Sequence, residues 1–421
     1  MKILQVIHQY LPKHQAGSEI YTHSLSKALK QLGHEVRVFA FEYGGGPDGG
    51  QARWEEYDSI PVYRVHHTPD AWGRLYWIGQ AAYSFKDDWV GMRFGEMLRE
   101  FRPEIVHAQH LHNVSGAIVR HAKQARIPVV MTLHDYWLMC PRINLYDYQK
   151  QICTHSYGGW RCGRCMELSP QMGLDARLSH LFAPLFAYRR QYLRTVIREI
   201  DLFISPSNFL RQHMIEFGIP SRKIIASDNG YDVTRFLGYQ KTESSQFRIG
   251  YIGSQMEHKG IHLLIEAFRR LEGNAVLKFY GDTMVQPEYG RRIRGMAQGD
   301  PRILFCGRFE NDRIAKVLSE IDVLVIPSLW YENSPLTIHE ASLARVPVVA
   351  AGLGGMAEFV QDGANGLHFE FGNSEDLYRK LSMLEQDRSR VAALDQFPAV
   401  KTIEENAVEM EHLYETLKRS V

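Results

Sequence analysis

Short β-branched apolar runs alternate along the chain with longer stretches whose apolar positions fall at helical spacing. Ile3 to His8 reads as a strand. A loop holding Gly17-Ser18-Glu19 follows, then a helix from about Glu19 to Leu32 and a strand over Val36–Ala40, which together make a βαβ unit. Ile105–His107 and Val129–Met131 predict further strands with a helix near Ser115–Gln124 between them, and Leu202–Ile204 and Lys223–Ile225 add two more after a long helical region. This order implies a parallel, doubly wound sheet.

The pattern breaks around Asp228-Asn229-Gly230-Tyr231, and the polar run Gln240–Gln246 reads as a linker. A second series then starts at Phe247–Ile252 and continues through Val276–Tyr280, Ile303–Phe305, Asp322–Ile326 and Val348–Ala350. The fold class is therefore α/β, with two Rossmann-like domains, residues 1–230 and 247–400, facing a central cleft. Residues 401–421 hold a terminal helix with apolar spacing at Ile403, Ala407, Met410 and Leu413-Tyr414; it packs back on the first domain or caps the second. Gly44 to Gly50 reads as a mobile loop from its glycines.

A length of 421 residues suffices for two cores. Lys plus Arg (49) and Asp plus Glu (48) nearly cancel, so no global basic field favours nucleic acid. Ile3–His8 is too short and too interrupted for a signal peptide, and no run reaches membrane-span length. The expected location is cytoplasmic, with the five cysteines reduced or metal-bound.

The chemistry centres on residues 327–349. Asp322–Ile326 is a buried-strand run closed by Pro327. Asn333 and Ser334 are cap residue types, Pro335 suits the first helical position, and Leu336 to Ala344 continue the helix. The free N–H groups of Leu336 and Thr337 would face the strand end, where an open α/β sheet binds ligands and a helix N-terminus attracts phosphate. Glu332 in the loop and Glu340 in the helix suit sugar hydroxyls and a ribose diol; solvated surface acids are the alternative. Gly250 to Gly260 adds a glycine-closed strand end, Gly253, and a lysine, Lys259, just before a helix. That arrangement suits a diphosphate or, more blandly, is a solvated turn. Gly17 opens a similar turn, yet no full G-x-G-x-x-G supports a dinucleotide cofactor.

These motifs in this order resemble a retaining glycosyltransferase of family 4 (glycosyl transferases group 1) with the GT-B architecture. The matching residues are Glu332 to Glu340 as the E-x7-E element, Gly253 with Lys259-Gly260, Asn229-Gly230 at the hinge, Gly354-Gly355 with Glu358, Gly17-Ser18-Glu19, and Thr132-Leu133-His134-Asp135. The resemblance covers nearly the whole chain. It implies a glycosyltransferase of the hexosyltransferase type, retaining and metal-independent, moving a sugar from a nucleoside-diphosphate-sugar donor to a hydroxyl of a glycan or lipid-linked acceptor in cell-surface polysaccharide biosynthesis. Gly17, Ser18, Gly253, Ser254, Lys259, Glu332, Pro335, Leu336, Thr337 and Glu340 are then donor-binding. Lys259 meets the diphosphate, Glu340 the ribose, and Glu332 the sugar and phosphate. His134, otherwise a structural histidine at a strand end, lies beside the reacting carbon. The catalytic group is His134, Glu332 and Lys259. Ser254 departs from the family, which usually has an arginine there; a serine donates a hydrogen bond but no charge. A GT-B epimerase and a noncatalytic nucleotide-sugar-binding module are the alternative functions.

Cys140, Cys153 and the C-x2-C pair Cys162 and Cys165 fall in one insertion, 140–165, and read as a structural zinc site or as four free thiols. Cys306, in a strand, reads as a buried small hydrophobe. Ala71 to Trp77 and Trp89 suit sugar stacking, the membrane interface or a core. Arg189, Arg190, Arg194 and Arg198 make a basic helix for anionic headgroups at the inner membrane face, or simply a solvated one.

Overall fold

The computed structural model describes residues 1–43, 50–67, 76–154, 159–282 and 284–419. The loop 44–49 and residues 71–75 of the aromatic stretch lie outside them. Two compact units emerge: Met1–Tyr148 and Cys153–Gly230 with the residues from Lys401 on, and Gln149–Ile152 with Tyr231–Val400.

The first unit has strands β1 (Lys2–Ile7), β2 (Glu35–Tyr43), β3 (Gln51–Tyr57), β4 (Ile60–His67), β5 (Ile105–Ala108), β6 (Val129–Thr132), β7 (Leu202–Ser205) and β8 (Ile224–Ala226). Their order is β3-β4-β2-β1-β5-β6-β7-β8, with β3 antiparallel to β4 and the other pairs parallel. The order reverses between β1 and β5. In an open α/β sheet that switch point opens a crevice at the carboxyl ends of the strands.

Sequence reasoning missed the β3–β4 hairpin. Its two-residue turn puts Asp58 and Ser59 at φ 47° and 60°, a left-handed pair usually signalled by Asn-Gly or Asp-Gly. Pro61 also argues against a strand, but β2 begins pairing with β4 only at Val62, so no ladder donor is lost at the proline.

The terminal helix Ile403–Arg419 lies on the helix Gly17–Gln31. Ile403, Ala407, Met410 and Tyr414 are buried against Tyr21, Leu25 and Leu29. Tyr21 donates to Asn406 Oδ1 at 2.9 Å, and Tyr414 Oη stands 2.6 Å from His107 Nδ1.

The second unit has β9 (Phe247–Ile252), β10 (Ala275–Tyr280), β11 (Ile303–Gly307), β12 (Val323–Ile326), β13 (Val348–Ala351) and β14 (Gly366–Phe369), all parallel, in the order β11-β10-β9-β12-β13-β14. Its switch point falls between β9 and β12. The run expected as a linker is part of this unit: Thr242 donates to Ser319 O and accepts from Arg248, and Lys241 stands 3.4 Å from Asp322. Cys306 is exposed rather than buried, because β11 is an edge strand and its outer positions meet solvent. Arg189, expected on a basic surface, is turned inward, donating to Trp137 O with its guanidinium 5.4 Å from the Trp137 ring; Arg194 and Arg198 remain outside. Trp89 stacks on His67 at 4.5 Å, a packed position, while Trp77 is exposed. No helix among the described residues is long and apolar enough to cross a membrane.

Candidate active site

At the switch point of the second unit two loops meet, one leaving β9 and one leaving β12. Lys259 ends a short turn after β9, and Gly260 holds φ 69° with its Cα so near Pro327 that a Cβ there would lie 1.9 Å from the Pro327 carbonyl oxygen. Only glycine lets these loops approach so closely. The approach sets Lys259 Nζ 2.7 Å from Glu332 Oε1 and 5.0 Å from the Trp330 ring centre. Ser328 Oγ and Trp330 Nε1 donate to the same oxygen at 2.6 and 2.8 Å. Burial pushes the Glu332 carboxyl up, but the Lys259 charge and these donors outweigh it and hold the group below its ordinary range. Gly355 N–H donates to Glu332 O at 2.7 Å and braces the loop from behind.

The helix after this loop runs Leu336–Leu343 with Pro335 as its N-cap residue. This corrects the expected capping. Pro335 stands one position before the first helical residue, and no side chain caps the helix. The Ser334 hydroxyl lies 3.0 Å from His339 Nε2 instead, and His339 stacks on Tyr231 at 4.4 Å. Leu336 and Thr337 occupy the first turn, where backbone N–H groups have no acceptor within the helix. Glu340 is buried in the body of the helix. Burial raises its pKa, offset in part by Arg235, whose Nη1 is 3.5 Å from Glu340 Oε1.

Gly253 and Ser254 form the turn after β9; Ser254 O accepts from Tyr251 Oη at 2.8 Å. Beside them Gln255 is wholly buried, and neither atom of its side-chain amide has a hydrogen-bond partner. Gln255, Ser328, Trp330 and Arg235 are additions that sequence reasoning missed. Ser328 and Trp330 lay within the quoted stretch, whereas Arg235 had no local signal.

The first unit gathers histidines at its own switch point. His8 follows β1, His110 and His112 follow β5, and His134 and Asp135 follow β6. The His8 and His110 rings are 4.2 Å apart, and His110 Nε2 is 2.5 Å from Asp135 Oδ2. His134 Nε2 is 2.9 Å from Gln109 Oε1. Burial, then the neighbouring His110, lowers His134 to about 3, and burial with His110, His112 and His134 holds His8 well below its usual value. His134 and His8 are therefore neutral hydrogen-bonding groups near neutral pH. Gly17 and Ser18 already lie in the first turn of the helix Gly17–Gln31, which starts two residues earlier than expected, and Ser18 Oγ donates to buried Glu19 at 3.0 Å. Gly354-Gly355 and Glu358 belong to the short helix Gly354–Phe359, and Gly230 meets the start of the terminal helix at Thr402 and Ile403.

Two α/β units built on largely parallel sheets, each with polar groups at its switch point, define the GT-B fold. The Anabaena protein HepE in complex with UDP and glucose superposes with a TM-score of 0.64 at 19% identity, covering 100% of this chain and 98% of that one. Residues 16–235 match the model of Glycosyltransferase Family 4, and residues 246–387 that of glycosyl transferases group 1. The chain belongs to glycosyltransferase family 4. Glycogen synthase of Mycobacterium tuberculosis is 26% identical over 380 residues, 87% of this chain and 82% of that protein. TuaC of Bacillus subtilis, a glycosyltransferase provisionally named for teichuronic acid biosynthesis, is 21% identical over 383 residues, 85% of this chain and 82% of its own.

Proposed function

We propose that this glycosyltransferase moves a sugar from a nucleoside-diphosphate sugar to a hydroxyl of a glycan or lipid-linked acceptor, with retention and without a catalytic metal ion, in building a cell-surface polysaccharide. The observation that carries this reading is the Lys259–Glu332 pair beside the first turn of the helix Leu336–Leu343. When the anomeric C–O bond breaks, the leaving diphosphate takes the electron pair. Lys259 and the N–H groups of Leu336 and Thr337 suit that developing charge, so positioning and electrostatics supply the catalysis.

Glu332 then orients Lys259 and the sugar, and Glu340 suits the ribose diol. Ser254 contributes a hydrogen bond where an arginine would add charge; the buried Gln255 amide is a further donor and acceptor beside it. His134, neutral, hydrogen-bonds the donor sugar rather than taking the acceptor proton, which leaves with the diphosphate or solvent. The relatives' names and the UDP of the superposed structure support both the donor class and the polysaccharide setting. A cytoplasmic location belongs to the same reading, as the compartment that supplies nucleotide sugars.

Incubation with a panel of nucleotide sugars tests it. Acceptor-dependent nucleotide release with retained anomeric configuration, undiminished by chelator, is the expected result. Isomerised sugar nucleotide, or binding without turnover, overturns it.

A further inference from the structure

Four of the five cysteines take no part in the proposed transfer, yet the first unit brings them round one cavity. It has a volume of about 30 Å³, room for a single ion or water molecule, and Cys140, Cys153, Cys162 and Cys165 line it. They come from three segments. Cys140 is in the loop after β6, Cys153 donates its N–H to Leu145 O at 2.7 Å, and Cys162 and Cys165 lie one turn apart on the helix Trp160–Cys165.

Without a cation, burial favours the neutral thiol at Cys140 and Cys165, so a set of thiolates here needs a positive charge among them. The nearby backbone N–H groups of Arg142 and Leu145 at Cys140, and of Tyr148 at Cys165, offset that burial only in part. A neutral thiol is a weak acceptor, whereas a metal-bound thiolate is fixed by such donors. Four thiolates on a divalent ion carry two net negative charges. Arg142 and Arg161 line the same cavity, and buried Arg189 lies close enough to feel Cys140 and Cys162. Among the described residues no three His, Cys, Asp or Glu side chains are gathered as a metal-holding group, so the four sulfurs line the cavity without converging on one point.

We infer that Cys140, Cys153, Cys162 and Cys165 bind one zinc ion as four thiolates, fastening the loop that carries His134 to the helix Trp160–Cys165. Each thiol releases its proton to solvent as its S–Zn bond forms, and no oxidation state changes. Softness and a closed set of four sulfur ligands favour zinc and a structural role. The loop itself explains what the ion would hold: Tyr136 N–H donates to Ile143 O at 2.9 Å and Cys140 N–H to Tyr136 O at 2.7 Å, so Cys140 is a short, tightly turned distance from His134.

The test is metal analysis of the full chain made in zinc-containing medium and purified without chelator. One zinc per chain is expected, retained in Cys306→Ser and lost in the Cys162→Ser, Cys165→Ser double variant. Should that variant not fold, the wild-type chain suffices: an organomercurial should release the zinc as the four thiols besides exposed Cys306 are titrated, and cobalt in its place should give the intense visible absorption of a tetrahedral tetrathiolate. Zinc below about a fifth of an equivalent, an iron–sulfur absorption, a disulfide among the four by mass spectrometry, or zinc unaffected by the double variant overturns the inference.

Discussion

Glu332 and Glu340 stand in one motif, both nearly buried, and the second unit treats them oppositely. Glu332 receives three donors on a single oxygen and is held ionised. Glu340 has one guanidinium at 3.5 Å and a pKa raised by burial. The loop carboxylate is thus a finished part of the protein, while the helix carboxylate has acceptor capacity that a hydroxyl pair would use. A shared residue type at fixed spacing therefore does not mean a shared job. One glutamate sets the position of a lysine, and the other, in the proposed function, takes the ribose diol.

The change with the largest expected effect is Glu332→Ala. It leaves the Lys259 cation without its partner and the Ser328 and Trp330 donors without an acceptor. Breaking a buried pair in this way costs about 3–5 kcal/mol, and the partial exposure of Lys259 puts the expected loss near the lower figure. Denaturant unfolding of the full chain measures it. A loss under about 1 kcal/mol would erase the contrast with Glu340.

Gly355→Ala comes next. A Cβ there would lie 1.7 Å from Asn333 O, so the loop holding Glu332 must retreat while its hydrogen bonds stay chemically possible. Overpacking of this kind costs about 1–3 kcal/mol. Transfer activity should fall with stability. Unchanged activity at reduced stability would show that the loop's placement does not matter to the chemistry.

Much of this contrast was invisible in the sequence, for reasons particular residues make clear. The strands β9 and β12 and the helix after β12 were legible because β-branched runs and a proline mark them locally. The helical face of Ile403, Ala407, Met410 and Tyr414 was equally plain, and all four are buried. The Lys259–Glu332 pair joins residues 73 apart, and the pile of His8, His110 and Asp135 joins three strands, so no spacing announces either. Arg235 sits beyond the break at Gly230, before the polar run, where composition suggested no partner. The strand β14 was missed because Gly366-Leu367-His368-Phe369 has no β-branched residue and alternates poorly.

Glu340→Gln should move stability by no more than about 1 kcal/mol, since it exchanges one long contact to Arg235 for an amide of the same shape. Its effect should appear in binding instead. An amide accepts less strongly from a diol than a carboxylate does, so donor affinity measured by calorimetry should drop about tenfold, roughly 1.4 kcal/mol. Unchanged affinity would remove Glu340 from the ribose while leaving Glu332 where it is.

The smallest effect, and the one that reads both carboxylates at once, is the pH dependence of these differences. Glu332 has a depressed folded pKa, so its contribution is fully present above the unfolded value and is lost as pH falls through the folded one. The stability deficit of Glu332→Gln should therefore persist through the ordinary carboxylate range and close only below it. Glu340 has a raised folded pKa, so the folded state favours its protonated form, and ionisation weighs increasingly against folding as pH rises from the ordinary carboxylate value to the raised one. Any advantage of Glu340→Gln over the wild type should accordingly be present at neutral pH, begin to shrink as pH falls below the raised value, and close only at the ordinary carboxylate value. Thermal melting of the two variants beside the wild type across mildly acidic pH measures both. Gaps of the same sign at neutral pH, or gaps that close over the same pH window, would mean that one environment, not two, governs the pair, and the division of labour between loop and helix would fail with it.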